Sequence, residues 1–554
     1  MNVGEAVART LVDEGVDAVF SLLGDGTARI VYHMARLGVP VYEGRHEAYV
    51  YAMADGYGRT KGTPAVCAIT GGPAVGHTFT AMTAASRSRS PVILLTGPSS
   101  RDDLVGRQRL DHRAMTELTG ARFFPIHDPE NAERRTRQSV DWVRAGGGPA
   151  VLDVSEATQG ADFEATLEPR SGLLSPTPGR IHPDPESIEV ASRLIANARR
   201  PVILAGAGAV LSGARDELVA LGEDLGALLT TTIEARGMFF GDPFNAGVSG
   251  GFASEPAAAL LPEADLVISF GTTLDRFVTR GGALYPGAAH IRVDVEPPGD
   301  RAGDRSAACY IQGDALVVAQ ALRAAIAARP ARSGYRTDTT ARRLTDPVDP
   351  HPAGTEPDRV DPREMCALLD ELLPAGCGWV TGNSGHFWAF PIMHMPRPRR
   401  PLLHASAFGA IGYGIPVGLG AALAHGGDPV VVFEGDGGAM MHIQAIETAA
   451  RYRARMLVVV LSDGALGAEY HNMVAEGYDP DLSLLPDVDL AGVARQFGCR
   501  AGTLTAVDQL GAMVSEFLSG SGPMLIDARV SRRVISAPVR RAVYGIDGWS
   551  GRSG

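Results

Sequence analysis

Two acids, Asp436 and Asp463, each stand just past an apolar, largely β-branched run and beside glycine. Val430-Val431-Val432-Phe433 leads to the turn Gly435-Asp436-Gly437-Gly438, and residues 456–461 lead to Ser462-Asp463-Gly464. Between them, residues 441–453 place Ile443, Ile446 and Ala450 on one helical face. The pattern predicts strand, glycine turn, helix, strand, which is a βαβ unit of a parallel sheet. Both acids then sit at the carboxyl ends of strands, the edge where open α/β sheets bind ligands. Two carboxylates meeting there repel unless a cation joins them. Mg²⁺ suits the place, because it takes oxygen ligands and is commonly shared with phosphates. Gly437 and Gly438 let a diphosphate approach the backbone amides. A lone Gly-Asp-Gly is more often a structural turn with unrelated acids, so the spacing to Asp463 has to carry the argument.

The elements that must position these acids belong to a long chain. At 554 residues, two to four domains are expected. The composition, 45% hydrophobic and 21% charged, is that of an ordinary globular protein. A net charge of −12 argues against nucleic acid as the main partner. Cys67, Cys309, Cys366, Cys377 and Cys499 are scattered without a CxxC pair, so a zinc site or disulfide framework is not expected and a reducing cytoplasm is. The N-terminal stretch carries acids and no long apolar core, unlike a signal peptide, and no run reaches membrane-spanning length.

Residues 1–165 read as a first doubly wound α/β unit, strands alternating with helices. Its turn Gly24-Asp25-Gly26-Thr27 follows a short strand, Asp17-Ala18-Val19-Phe20. Glu47 opens a helix, and a loop Gly71-Gly72-Pro73-Ala74-Val75-Gly76-His77 follows a strand at 65–70. An isolated Glu there is simply an acid favoured in a first helical turn. Its surroundings, GRHEAYVYAMADGYGRTKGTPAVCAITGGPAVGH, resemble the pyrimidine-binding domain of thiamine diphosphate (ThDP) decarboxylases and acetolactate synthases. The 430–471 stretch likewise resembles that family's diphosphate-binding motif, with Ser462-Asp463 standing where the family has Asn-Asn.

That resemblance implies roles for individual residues. Glu47 would hydrogen-bond the aminopyrimidine ring and relay the proton that activates the thiazolium carbon; partial burial would push its pKa upward, suiting it to that work. Gly72, Pro73 and His77 would line the pyrimidine, with His77 in place of the usual Asn. Asp436, Asp463 and the carbonyl of Ala465 would hold Mg²⁺. Gly435, Gly437, Gly438, Leu466 and Gly467 would surround the diphosphate. In Phe408-Gly409-Ala410-Ile411-Gly412-Tyr413-Gly414-Ile415-Pro416, Gly409 and Ile411 would prop the cofactor into its bent form. Asp in place of Asn at 463 keeps an oxygen ligand and adds a negative charge beside the diphosphate.

Residues 186–328 form a second unit that resembles the central Rossmann-like domain of the acetolactate synthase group. Some relatives hold FAD there and others hold nothing. Gly206-Ala207-Gly208 lacks a third glycine in register, and Arg236 and Asp275-Arg276 match FAD contacts only loosely, so FAD is not favoured. Polar, proline-rich linkers are expected at about 166–185 and 329–358. The third unit spans 359–536, and residues 537–554 form a C-terminal tail, either exposed or capping the site. First and third units flanking a shared cofactor would explain why both read as the same class of fold.

The expected fold is therefore α/β with three doubly wound parallel sheets. The expected protein is a ThDP- and Mg²⁺-dependent enzyme of the acetolactate synthase and 2-oxo acid decarboxylase superfamily. It would act on a small 2-oxo acid, with a second carbonyl as acceptor, as a homodimer or dimer of dimers. Asp25 and Glu469 match catalytic acids of simple decarboxylases. The paired His of those enzymes is missing near Ser99-Ser100, and Gln108 matches a Gln of acetolactate synthases. The resemblance leaves ligation and simple aldehyde release both open. An oxidoreductase built on the central unit and a non-catalytic scaffold are the readings from other classes.

Overall fold

The computed structural model describes residues 1–97, 108–164, 167, 179–299, 307–327, 333–350, 354–383, 387–400, 403–405 and 407–545. Ser99-Ser100, Gly385-His386, residues 546–554, the bounding residues 165 and 328, most of the expected linker 166–185, and residues 329–332 and 351–353 of the second lie outside them; the rest of that second segment is described and contains the helix Asp338–Leu344.

Three six-stranded sheets organise the chain, and every pairing within them is parallel. The first sheet runs Val41–Glu43, Val19–Leu22, Ala65–Ile69, Val92–Thr96, Ala150–Val154, Arg122–Ile126. The third runs Leu403–His404, Gly378–Thr381, Val430–Gly435, Met456–Ser462, Met524–Arg529, Arg500–Leu504. Counted along the chain, both have the order 2-1-3-4-6-5. The second sheet, from Cys309–Gln312 across to Asn245–Val248, has the order 6-5-4-1-2-3. The likeness between first and third units is thus one of topology, and the central unit stands apart.

In the order 2-1-3-4, strand direction of winding reverses between strands 1 and 3, which opens a crevice at their carboxyl ends. In the first sheet that crevice lies between Val19–Leu22 and Ala65–Ile69, so the Gly24–Gly26 turn meets the Gly71-Gly72 loop; the Gly26 amide donates to Thr70 Oγ1 at 3.4 Å. In the third it lies between Gly378–Thr381 and Val430–Gly435, directly at Asp436.

One apolar core joins the first and third units. It runs from Phe20, Tyr51 and Met53 to Ile415, Val417 and Val432. The helices Glu47–Lys61 and Gly414–Ala424 meet backbone to backbone at its centre. A Cβ on Gly56 would stand 2.0 Å from the Val417 carbonyl oxygen, and one on Gly420 would stand 1.9 Å from that of Met53. Only glycine allows this approach. Polar bonds finish the seam: Tyr49 Oη lies 3.2 Å from Thr448 Oγ1, and Arg59 donates to the His404 carbonyl at 3.1 Å.

Four local expectations need correction. Asp436 is not in a free turn: the strand continues through Glu434 and Gly435, which pair with Val460 and Leu461, and a helix Asp436–Met441 starts at once. The single helix expected over 441–453 is two, Asp436–Met441 and Ala445–Arg451, broken at His442. His442 is pulled out of helical geometry because its buried ring packs between those of Tyr413 and Tyr49. Pro73–His77 is a short helix rather than loop. Residues 537–544, placed in a tail, are a helix whose Arg541 donates to the Ala253 carbonyl at 2.6 Å and pairs with Glu255.

Candidate functional site

Asp436 begins its helix with both carboxylate oxygens engaged: Gly437 donates to Oδ1 at 2.8 Å and Gly464 to Oδ2 at 2.9 Å. The second bond ties the two acidic turns together. Asp463 is completely buried; its Oδ1 accepts from the Ala465 amide at 3.1 Å, and its Oδ2 has no partner. Burial raises the pKa of both acids. For Asp463, desolvation reinforced by the Asp436 charge pushes it up to about 7. A buried, orphaned carboxylate oxygen beside a second carboxylate is a site short of positive charge.

The cleft beside Asp436 has a volume of about 280 Å³ and is bordered by Asp436, Gly437, Met440, Leu466 and Leu485. Leu466 and Gly467 open the helix Gly467–Glu476 at its rim. Gly409 and Gly412, with φ of 82° and 86°, hold the loop that presents Ile411 half-exposed. A Cβ on Gly412 would meet Met441 at 2.8 Å, so this loop sits against the Asp436 helix. Buried Glu434 fastens the two: its Oε2 accepts from the Gly414 amide at 2.9 Å and its Oε1 from Gly435 at 3.3 Å. Its signal in the sequence is a lone acid within an otherwise apolar strand.

At the other centre, Glu47 is the first residue of its helix, and His46 caps it by accepting from the Ala48 amide at 3.1 Å. Glu47 Oε2 lies 3.0 Å from His77 Nδ1 and 3.9 Å from His46 Nδ1. The His46 and His77 rings stack with centroids 4.9 Å apart, and His46 approaches His442 of the third unit at 6.0 Å. Gly72 has φ 61°, and a Cβ there would strike the Gln108 carbonyl at 2.2 Å, which places Gln108 against the Gly72-Pro73 segment. Beneath this segment stands a pair that sequence reasoning missed. His112 Nε2 accepts from the Gly72 amide at 2.9 Å, and its Nδ1 lies 2.7 Å from Asp153 Oδ2. Only a carboxylate in a buried strand facing a His just after a helix cap hinted at it.

Asp25 and Glu469 are not brought together. Both are exposed, one on the turn after the first strand and the other on the first turn of its helix, and among the described residues no hydrogen bond or ion pair joins them. In the central unit, the glycines of Gly206-Ala207-Gly208 serve packing: the Gly208 amide donates to the Gly271 carbonyl at 3.1 Å, and the Gly206 amide to that of Phe270 at 2.9 Å. Arg236 donates to the Ile392 carbonyl and covers the Trp379 ring, and Asp275 caps the Val278 amide. The two glycines and Asp275 are thus committed to packing and capping, while Arg236 Nη2 has no hydrogen-bond partner among the described residues and its side chain lines a cleft of about 260 Å³.

The third unit fits a diphosphate with its divalent cation: oxygen ligands, a deficit of positive charge, two consecutive glycines and an apolar-walled cleft coincide. No helix among the described residues is long and apolar enough to cross a membrane.

Three family models match the chain in order. The thiamine pyrophosphate enzyme N-terminal TPP binding domain covers residues 1–118, the central domain 188–322, and the C-terminal TPP binding domain 381–528. The chain is 29% identical over 542 residues to a probable 2-ketoarginine decarboxylase, AruI, of Pseudomonas aeruginosa, spanning 96% of this chain and 94% of that one. It is 26% identical over 545 residues to the acetolactate synthase isozyme 2 large subunit of Escherichia coli, spanning 96% of each. An acetolactate synthase of Arthrospira platensis is 26% identical over 549 residues, spanning 95% and 94%.

Proposed function

From the premise that this chain belongs to the ThDP-dependent acetolactate synthase and 2-oxo acid decarboxylase family, we propose that it decarboxylates a 2-oxo acid and transfers the acyl unit to a second carbonyl. The observation that carries the reading is the buried Asp436–Asp463 corner with its orphaned Oδ2, in a chain whose first unit carries a second acidic centre at Glu47.

In this reading Asp436, Asp463 and the Ala465 carbonyl would hold Mg²⁺, and the Gly437 and Gly438 backbone would border the diphosphate. When bound, thiamine diphosphate supplies an electron sink for the electrons left behind as CO₂ departs. Gly409 and Ile411 would lie against the cofactor, with Glu434 fixing their loop to the Asp436 helix. Gly72, Pro73 and His77 wall the pyrimidine, and Glu47 holds and moves a proton at its carboxylate. Met440, Leu466 and Leu485 would give the cleft beside Asp436 an apolar wall against water. Two copies are proposed to associate, since half-exposed Ile411, Met440, Met441 and Leu466 crowd one rim.

Ligation is supported over aldehyde release by the two acetolactate synthase relatives, each 26% identical over nearly the whole chain; Asp25 and Glu469, exposed in the single chain, are candidate proton donors in either reading. Simple decarboxylation is the second reading, favoured by the 29% identical relative named as a decarboxylase. The deciding experiment supplies ThDP, Mg²⁺ and a panel of 2-oxo acids, including pyruvate and 2-ketoarginine. CO₂ release with a 2-hydroxy ketone product supports ligation. Stoichiometric aldehyde with no ligated product overturns it in favour of the second reading.

A further inference from the structure

We propose that His77 is the proton conduit between Glu47 and solvent. The inference rests on the functional reading above, which makes Glu47 the proton-handling group. Both outcomes of that reaction consume one proton per turnover. Loss of CO₂ from a 2-oxo acid anion breaks a C–C bond and leaves the electron pair on the acyl carbon. A proton must then reach that carbon to release an aldehyde, or reach the new alkoxide oxygen after ligation. A route inward is therefore required whichever product forms.

The geometry offers one. Glu47 is the least exposed of the group, its side chain 16% accessible, and it reaches His77 Nδ1 at 3.0 Å through Oε2. The His77 side chain is 55% accessible. Oε1 bonds to no described residue and remains for the cofactor. Stacking on His46 fixes the His77 ring plane with Nδ1 on the carboxylate, so the opposite nitrogen, Nε2, is the one left for water. An imidazole bonded to a carboxylate at one nitrogen can accept at the other and donate at the first, passing a proton without moving. The titratable and charged groups around it are Glu47, His46, His442 across the seam, and the Arg45–Glu447 pair.

The test uses the full chain loaded with ThDP and Mg²⁺, without substrate. Hydrogen–deuterium exchange at the cofactor's reactive carbon is followed by quenched NMR, and cofactor affinity by calorimetry. In samples saturated with ThDP, His77→Asn and His77→Gln are expected to exchange about 10-fold more slowly or worse, beyond any loss of affinity, a modest part of what a positioned acid–base group contributes. Added imidazole should restore most of the loss. Unchanged exchange in both variants overturns the proposal alone. So does slow exchange that tracks weakened cofactor binding and ignores imidazole, because that marks a structural role. A wild-type chain that binds no ThDP overturns the functional reading itself, and this proposal with it.

Discussion

Asp463 and Asp436 share one buried corner: the amide of Gly464, next to Asp463, donates to Asp436 Oδ2 at 2.9 Å, while Asp463 Oδ2 bonds to nothing. Two desolvated acids on turns tied by that bond invite a cation, and that predicts unequal mutational effects. Asp436→Ala should weaken ThDP retention by roughly 100-fold or more, since removing one partner of a buried charged cluster costs several kcal/mol. Asp463→Asn removes one charge and keeps an oxygen ligand, so cofactor binding should survive. Calorimetry with ThDP and Mg²⁺ checks both, and normal affinity in Asp436→Ala would refute the site.

Glu47→Gln tests the other centre. The side chain keeps its size and its hydrogen-bonding reach toward His77 and loses only the ability to carry the proton. Fold and ThDP binding should persist, and cofactor proton exchange should slow by about 10² to 10⁴-fold. Equal exchange in the variant would remove Glu47 from the mechanism.

The sequence exposed some of this arrangement and hid the rest for identifiable reasons. Asp436 and Glu47 were legible because each sits in a local motif whose neighbours in sequence are also its neighbours in space. Glu434 was not: its partner amide on Gly414 is 20 residues away, and from sequence it reads as a flaw in an apolar strand. His112 and Asp153 are separated by 41 residues and meet only because the fold of the first unit brings the helix His112–Thr119 to the strand Ala150–Val154. The break at His442 follows from rings of other segments, so no helical periodicity could announce it. Gly206-Ala207-Gly208 misleads in the opposite sense, since its glycines serve loop packing against Gly271.

His112 should matter as support for Gly72. Replacing it with Ala leaves the Gly72 amide and the Asp153 carboxylate without their shared partner. The cost is about 1–3 kcal/mol for each buried polar group so stranded. His112→Ala is therefore expected to lower the melting temperature and weaken ThDP binding, while His112→Gln, which retains an acceptor, should lose less. Scanning calorimetry of the three proteins checks the ranking.

Acid should destabilise the fold before ordinary carboxylates titrate. Burial holds His394, His404, His442 and His471 each down to about 4. These groups are neutral in the folded state, whereas the unfolded chain protonates below about 6.5. Stability is thus fully present above 6.5 and lost as pH falls toward 4, by up to about 2 kcal/mol per histidine at pH 5. Asp463, raised to about 7, works the other way: its burial as a carboxylate costs stability as pH rises toward neutrality, and acid relieves that cost. Asp436 and Asp527, which burial also raises, act in the same sense as Asp463, but the four histidines outnumber the three acids, so the melting temperature should drop between pH 7 and pH 5. A flat or rising profile would contradict the burial of these rings.

The last prediction concerns where a complete site is built. Within one chain Glu47 already approaches the third unit, through His46 and His442. The proposed association instead pairs the first unit of one copy with the third unit of another. The two arrangements differ in what mixing achieves. Glu47→Ala and Asp436→Ala chains are each expected to be inactive. If sites are shared across a two-fold axis, a mixed dimer places both lesions in one site and leaves the other intact. Activity should then reappear after the two are unfolded, mixed and refolded, with one working site in each mixed dimer. If every site lies within one chain, each chain carries its own lesion and the mixture stays dead. Light scattering on the same samples supplies the control. A monomer that turns over rules out sharing, and a dimer whose mixture remains inactive places Glu47 and Asp436 of one chain around one cofactor, or couples the two sites so that a lesion in either silences both.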